Sequence, residues 1–149
     1  MYGSKWIRIG CLLAALGVAT GAFGAHGLKT HLETSHAFDL EESARILDNW
    51  DTGVHYLLIH SIAIVLTGLL SVHICSRFLT AAGSCFTVGV IGFSAGLILY
   101  NTILVTSGVK LIPLVALVVP LGGVCFILGW IFLATALWKG KCSIPAKQP

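Results

Sequence analysis

Charge is what this sequence lacks. Its 149 residues include nine Lys and Arg and six Asp and Glu, so 10% are charged while 56% are hydrophobic. A soluble domain carries about 25% charged residues. That deficit excludes a disordered chain, a basic nucleic-acid binder and an ordinary soluble enzyme. The net charge of +3 is too small to attract nucleic acid, although its distribution bears on membrane orientation. Reactive sulfur chemistry is also missing. The five cysteines (Cys11, Cys75, Cys85, Cys125, Cys142) form no C-x-x-C pair, and four lie in apolar stretches. They read as reduced, structural residues rather than a disulfide framework or zinc site. No nucleophile motif, P-loop or dinucleotide fingerprint occurs.

What is present is a set of long uncharged runs. No charge falls between Arg8 and Lys29, Asp51 and Arg77, Arg77 and Lys110, or Lys110 and Lys139. A membrane-spanning helix needs about 20 apolar residues to cross roughly 30 Å of hydrocarbon. The runs are continuous rather than alternating, so helices and not barrel strands satisfy the backbone. The expected fold is all-α: a four-helix transmembrane bundle forming one domain over residues 1–149, with spans near 7–25, 55–74, 79–102 and 112–138. Pro113 suits the first turn of the fourth span, and Pro120 is expected to bend it. Trp6, Trp50 and Trp138 are expected at interfaces, with Trp130 deeper and facing another helix.

Four spans place both termini on one side, together with Lys5, Arg8, Arg77, Lys139, Lys141 and Lys147. Lys29, Arg45 and Lys110 fall opposite, which favours termini on the cytoplasmic or equivalent side of a membrane the sequence does not name. The first loop, near 27–54, is the long polar segment. Its second half, 39–50, reads as a short amphipathic helix: Leu40, Ala44 and Leu47 share one face, and Glu41, Glu42, Arg45 and Asp48 fill the other. It is expected on the membrane surface or across the mouth of the bundle.

Helices in lipid associate where small residues let backbones approach. The first span offers Gly10, Gly17, Gly21 and Gly24, the third Gly83, Gly89, Gly92 and Gly96, the fourth Gly122, Gly123 and Gly129. Gly17/Gly21 and Gly92/Gly96 are G-x-x-x-G pairs. Packing within the bundle and a dimer face are the two readings, the first favoured.

The topology also gathers polar side chains in one leaflet: His26, Tyr56, His60, Tyr100 and Asn101, with His55 pointing away from His60. Tyr56 and His60 are four apart and share a helix face. Ionisable groups within a membrane are costly and so are functional candidates. Three readings stand for the histidines: neutral and hydrogen-bonded, tying loop to helix; a proton or ligand site; or a metal or haem ligand. No H-x-x-x-H pair and no carboxylate inside a span supports the third. His73 lies at the opposite interface beside Arg77, and His31 and His36 carry no motif.

Four stretches resemble a known family. Gly21-Ala22-Phe23-Gly24-Ala25-His26-Gly27-Leu28-Lys29 is similar to the signature closing the first helix of the proteins called transmembrane protein 256, or domain of unknown function 423. Tyr56-Leu57-Leu58-Ile59-His60, then Phe93-Ser94-Ala95-Gly96 with Tyr100, then Pro120-Leu121-Gly122-Gly123 with Phe126 and Gly129-Trp130, resemble its next three helices in order. The resemblance implies a small four-helix multi-pass membrane protein without an established biochemical activity. It also implies that His55 is variable and that the tail 139–149 is an individual extension.

One alternative concerns processing. Lys5 and Arg8 before an apolar run, with Ala22 and Gly24 two apart, resemble a signal peptide cut after Gly24, which would leave three spans. For function, a non-catalytic accessory or packing protein is the leading expectation. A small-solute or proton conduit, and a haem-, metal- or quinone-binding protein, are the alternatives. The expected partners are the lipid bilayer and, through the glycine faces, other membrane proteins or a second copy. No catalytic residue, cofactor, metal or nucleic acid is expected.

Overall fold

A computed structural model describes residues 2–35 and 37–139. His36, Lys141, Cys142 and Lys147, all read in the sequence, lie outside the described residues. The described chain is almost wholly helical. Helix α1 (Tyr2–Phe23) passes through a π-helical turn (Gly24–Leu28) into α2 (Lys29–Ser35). Helix α3 is Leu40–His73. Helix α4 (Arg77–Gly89) passes through a second π turn (Val90–Ser94) into α5 (Ala95–Ser107), and α6 is Ile112–Lys139. The result is four rods, each long and apolar enough to cross a membrane.

The rods outrun the expected spans. Residues 40–50 are helical, as their spacing suggests, but they continue into the second span as one 34-residue helix. Residues 40–50 are therefore the start of α3 rather than a separate helix. Asp39 sets the start, its carboxylate accepting the Glu42 N–H at 2.7 Å, while Glu41 and Glu42 suit the positive end of the helix dipole. Ser76 caps α4 in the same manner, accepting from Phe78 N–H. Gly108, at φ 69°, closes α5 in a left-handed conformation that other residues rarely adopt. Helix α6 runs through Pro120 without ending.

Helix α3 is the axis of the bundle, with half of its most apolar stretch inside. Against it α1 lies antiparallel along a seam of glycines. Gly3, Gly10, Gly17 and Gly24 are all buried and stand seven apart. Seven residues are about two turns, so they share one face. A Cβ at Gly10 would lie 2.7 Å from the Ser61 carbonyl oxygen, and one at Gly3 2.6 Å from that of Gly68. The α1–α3 contact is thus backbone against backbone. Helix α6 packs similarly on α4 and the second π turn, where Gly92 and Gly122 face each other. Lipid-facing positions stay apolar, including Leu12, Ile62, Ile91 and Ile127.

Two buried clusters result. One holds Trp6, Ile64, Leu79, Phe86, Phe126 and Leu133. The other holds Leu28, Leu32, Ile46, Trp50, Val54 and Leu104. Trp6 and Trp50 are buried rather than interfacial, because Gly83 and Gly24 leave no side chain in the way of their rings. Trp138 is 92% exposed, as an interfacial ring would be. An ion pair ties the start of α3 to the α5–α6 loop, with Lys110 Nζ 2.9 Å from Glu42 Oε1 and Arg45 at 3.6 Å from the same oxygen.

Candidate functional site

The centre of the first cluster is an imidazole. His60 projects from the buried face of α3 and is 4% exposed. Its Nδ1 is 2.9 Å from the Tyr56 carbonyl oxygen, one turn back. Its Nε2 is 3.3 Å from the indole nitrogen of Trp130 on α6. An indole nitrogen only donates, so Nε2 must accept. The proton of the neutral ring therefore sits on Nδ1 and is donated to Tyr56. Both ring nitrogens are satisfied, which removes the penalty for burying them.

Aromatic rings enclose this group. Phe126 stacks on the imidazole with centroids 3.5 Å apart and planes 12° from parallel. Tyr56 stands at 5.7 Å, Phe86 at 5.7 Å and Trp130 at 6.1 Å. Phe93 packs on Tyr56 at 4.6 Å and extends the cluster toward the second π turn. Glycines make the room: a Cβ at Gly89 would strike the Phe126 ring, and one at Gly129 would lie 2.5 Å from Phe86. The set is a clasp that draws on α3, α4, α6 and the second π turn.

Of the five polar residues read together in the sequence, the structure joins two, Tyr56 and His60. His26 is exposed on the first π turn, on another helix and outside the clasp. Tyr100 packs against the second cluster. Asn101 is fully buried, and its side-chain nitrogen and oxygen meet no hydrogen-bond partner. His55 is exposed and sits edge-on to Tyr56 at 6.2 Å. The histidine tie runs to the fourth helix rather than to the loop. Among the described residues no group of three His, Cys, Asp or Glu side chains converges where a metal ion could be held.

The glycines separate by geometry. Gly17, Gly24, Gly122 and Gly129 sit where a Cβ would meet a neighbour at 2.7 Å or closer. At Gly21 and Gly92 the nearest atom would be 3.2 Å away, at Gly96 3.3 Å, and at Gly123 3.7 Å.

Residues 20–123 match the family described as protein of unknown function (DUF423). The chain belongs to this family. Among DUF423 relatives, UPF0382 membrane protein YwdK of Bacillus subtilis (strain 168) is 34% identical over 134 residues, covering 90% of this chain and 96% of its own. The UPF0382 membrane protein SAB0533 of Staphylococcus aureus (strain bovine RF122 / ET3-1) is 34% identical over 134 residues, covering 90% and 95%. A UPF0382 membrane protein of Haemophilus influenzae is 31% identical over 138 residues, covering 93% and 97%. No solved structure matches the chain. With four apolar rods and membrane proteins as relatives, this DUF423 chain is a multi-pass protein embedded in the lipid bilayer.

The sequence motifs and the clasp overlap. Tyr56, His60, Phe93, Phe126 and Trp130 all belong to stretches that carry the family resemblance, yet only the first two entered the polar set. Phe86 lies outside those stretches. A signal was available: Tyr56/His60 and Phe126/Trp130 are both i,i+4 aromatic pairs, and Phe86/Phe93 are seven apart on one face.

Proposed function

We propose that this chain is a non-catalytic accessory protein of the membrane, a compact bundle that packs against a larger assembly, with its termini on the cytoplasmic or equivalent side. The observation that carries this reading is the state of His60. The one buried imidazole among the described residues has both nitrogens engaged within the bundle and Phe126 stacked on its ring. A group so occupied holds helices together, and has neither a free lone pair for a metal nor a free position for relaying a proton. The orientation rests on the sequence, which puts Lys5, Arg8, Arg77, Lys139, Lys141 and Lys147 on the terminal side against Lys29, Arg45 and Lys110 on the other. The outward faces of α1 and α6 are apolar throughout much of their length and suit either lipid or a neighbouring helix.

The experiment is purification of the full chain in mild detergent, with mass spectrometry of what is retained and reconstitution of the purified protein into vesicles. The reading expects a membrane protein retained in fixed proportion and no solute-dependent flux from the chain alone. Recovery of the chain by itself, together with flux of a proton or small solute that His60→Ala abolishes, overturns it.

A further inference from the structure

Hydroxyl groups inside this bundle follow a common rule. Ser61, Thr67 and Thr87 each donate to the carbonyl one turn back, on Leu57, Ala63 and Gly83, at 2.6 to 2.8 Å. Back-bonding of this kind satisfies a hydroxyl where no water reaches. Ser94 departs from it. It is fully buried at the end of the second π turn, and its Oγ meets no partner. Asn101 is equally enclosed and leaves both its amide nitrogen and its oxygen unmet. The two are seven residues apart, on one face, so about 10 Å separates them along the axis and neither can serve the other.

That face packs on α3. Gly53 lies against it closely enough that a Cβ there would be 3.2 Å from the Ser94 carbonyl oxygen and 3.4 Å from Leu97 Cβ. In the π turn the Ala95 N–H goes to the Val90 carbonyl rather than to that of Ile91, its acceptor in a regular α-helix. A buried amide can make up to four hydrogen bonds, and native interiors leave very few such groups unpaired.

We propose that the α3–α5 seam is an internal hydration site, with a water molecule hydrogen-bonded to the Asn101 amide and a second to the Ser94 hydroxyl. The chemistry selects water. Asn101 and Ser94 are neutral and offer both donors and acceptors, and among the described residues no buried carboxylate is present to balance a cation. The surrounding side chains Leu97 and Leu104 are apolar and offer no competing partner. Internal waters of this type each make two to four hydrogen bonds to buried polar groups. The seam is then a polar track about two turns long beside the second π turn, inside an otherwise apolar bundle.

The test is direct detection of that water. Asn49 and Asn101 are the only asparagines, so selective 15N-asparagine labelling yields two side-chain amide pairs. Asn101→Leu assigns them by loss of one pair, and Asn49→Gln assigns them by elimination should the first variant fail to fold. The full chain is placed in deuterated-lipid nanodiscs and cross-relaxation from water protons is recorded. The proposal expects the Asn101 amide protons to show a water cross-peak with the sign of a long-lived bound molecule. Cross-peaks from that amide to protein protons alone, with none to water, overturn it.

Discussion

Trp130 donates its indole N–H to His60 Nε2 at 3.3 Å, and that bond joins the fourth rod to the axial helix of the bundle. The partners are 70 residues apart in sequence. Each is useful because the other is there: a buried imidazole needs a donor for Nε2, and a half-exposed indole in a membrane needs an acceptor.

The clasp has a measurable asymmetry. Trp130→Phe keeps a ring but strands His60 Nε2, so it is expected to destabilise the bundle by about 1–3 kcal/mol, the cost of an unmet buried polar atom. His60→Phe removes both imidazole nitrogens and keeps a ring against Phe126 but leaves the Trp130 N–H without its acceptor; because that indole is half-exposed, the expected loss is smaller. The double variant should recover part of the Trp130→Phe loss. Thermal unfolding of the four proteins in one detergent reads this as a double-mutant cycle. Strict additivity of the two substitutions would count against the bond.

Glycine substitutions should sort by what their Cβ meets. Gly10→Ala pushes against the Ser61 carbonyl, a backbone atom that cannot rotate away, and is expected to cost about 1–3 kcal/mol. Gly123→Ala meets only the edge of Phe93 at 3.7 Å, an ordinary contact, and is expected to be neutral or slightly stabilising. Comparable losses at both positions, measured by unfolding in detergent, would contradict the packing described for α1 and α3.

Trp50 fixes the other end of the α1–α3 seam. Its Nε1 donates to the Thr20 carbonyl at 3.0 Å, with the ring seated over Gly24. Trp50→Phe keeps most of the apolar burial and loses that bond, for an expected cost of about 0.5–1.5 kcal/mol. Gly24→Ala displaces the ring itself and is expected to cost more. The order of the two melting temperatures checks the assignment.

The Glu42–Lys110 ion pair should matter little. The Lys110 side chain is 53% exposed, and surface pairs contribute about 0–1 kcal/mol and weaken with salt. Lys110→Met is expected to shift the melting temperature slightly at low ionic strength and not at all at high. A large, salt-independent loss would indicate a role the present contacts do not give it.

The four rods were legible because charge is excluded from lipid, and each uncharged run maps onto a helix. Their true lengths were not. Asp48 and Asp51 interrupt the apolar run before the second span, yet the backbone continues helically through both, since Asp39 caps the helix twelve residues before Asp51. Hydropathy places a residue at a depth but does not set the rotation of one helix against another. Tyr56 and His60 could be grouped because they share a helix; their partners Phe126 and Trp130 depend on how α6 turns, and so went unread as part of the site. Tyr100, which packs against the second cluster, and Asn101, buried on α5, fall outside the clasp for the same reason. The seven-residue spacing of Gly3, Gly10, Gly17 and Gly24 is masked in the sequence by the G-x-x-x-G pair Gly17/Gly21, and its first member lies outside the expected span.

The claim on which the rest turns is that His60 is a structural, neutral imidazole with its proton on Nδ1. A 15N spectrum of histidine-labelled protein in bilayers, with His60 assigned by its loss in His60→Phe, reads this directly. The expected result is one protonated and one unprotonated ring nitrogen, the unprotonated Nε2 correlating with the Trp130 indole proton. An imidazole protonated on both nitrogens, or on Nε2 alone, contradicts the clasp and returns His60 to the candidates for a working site.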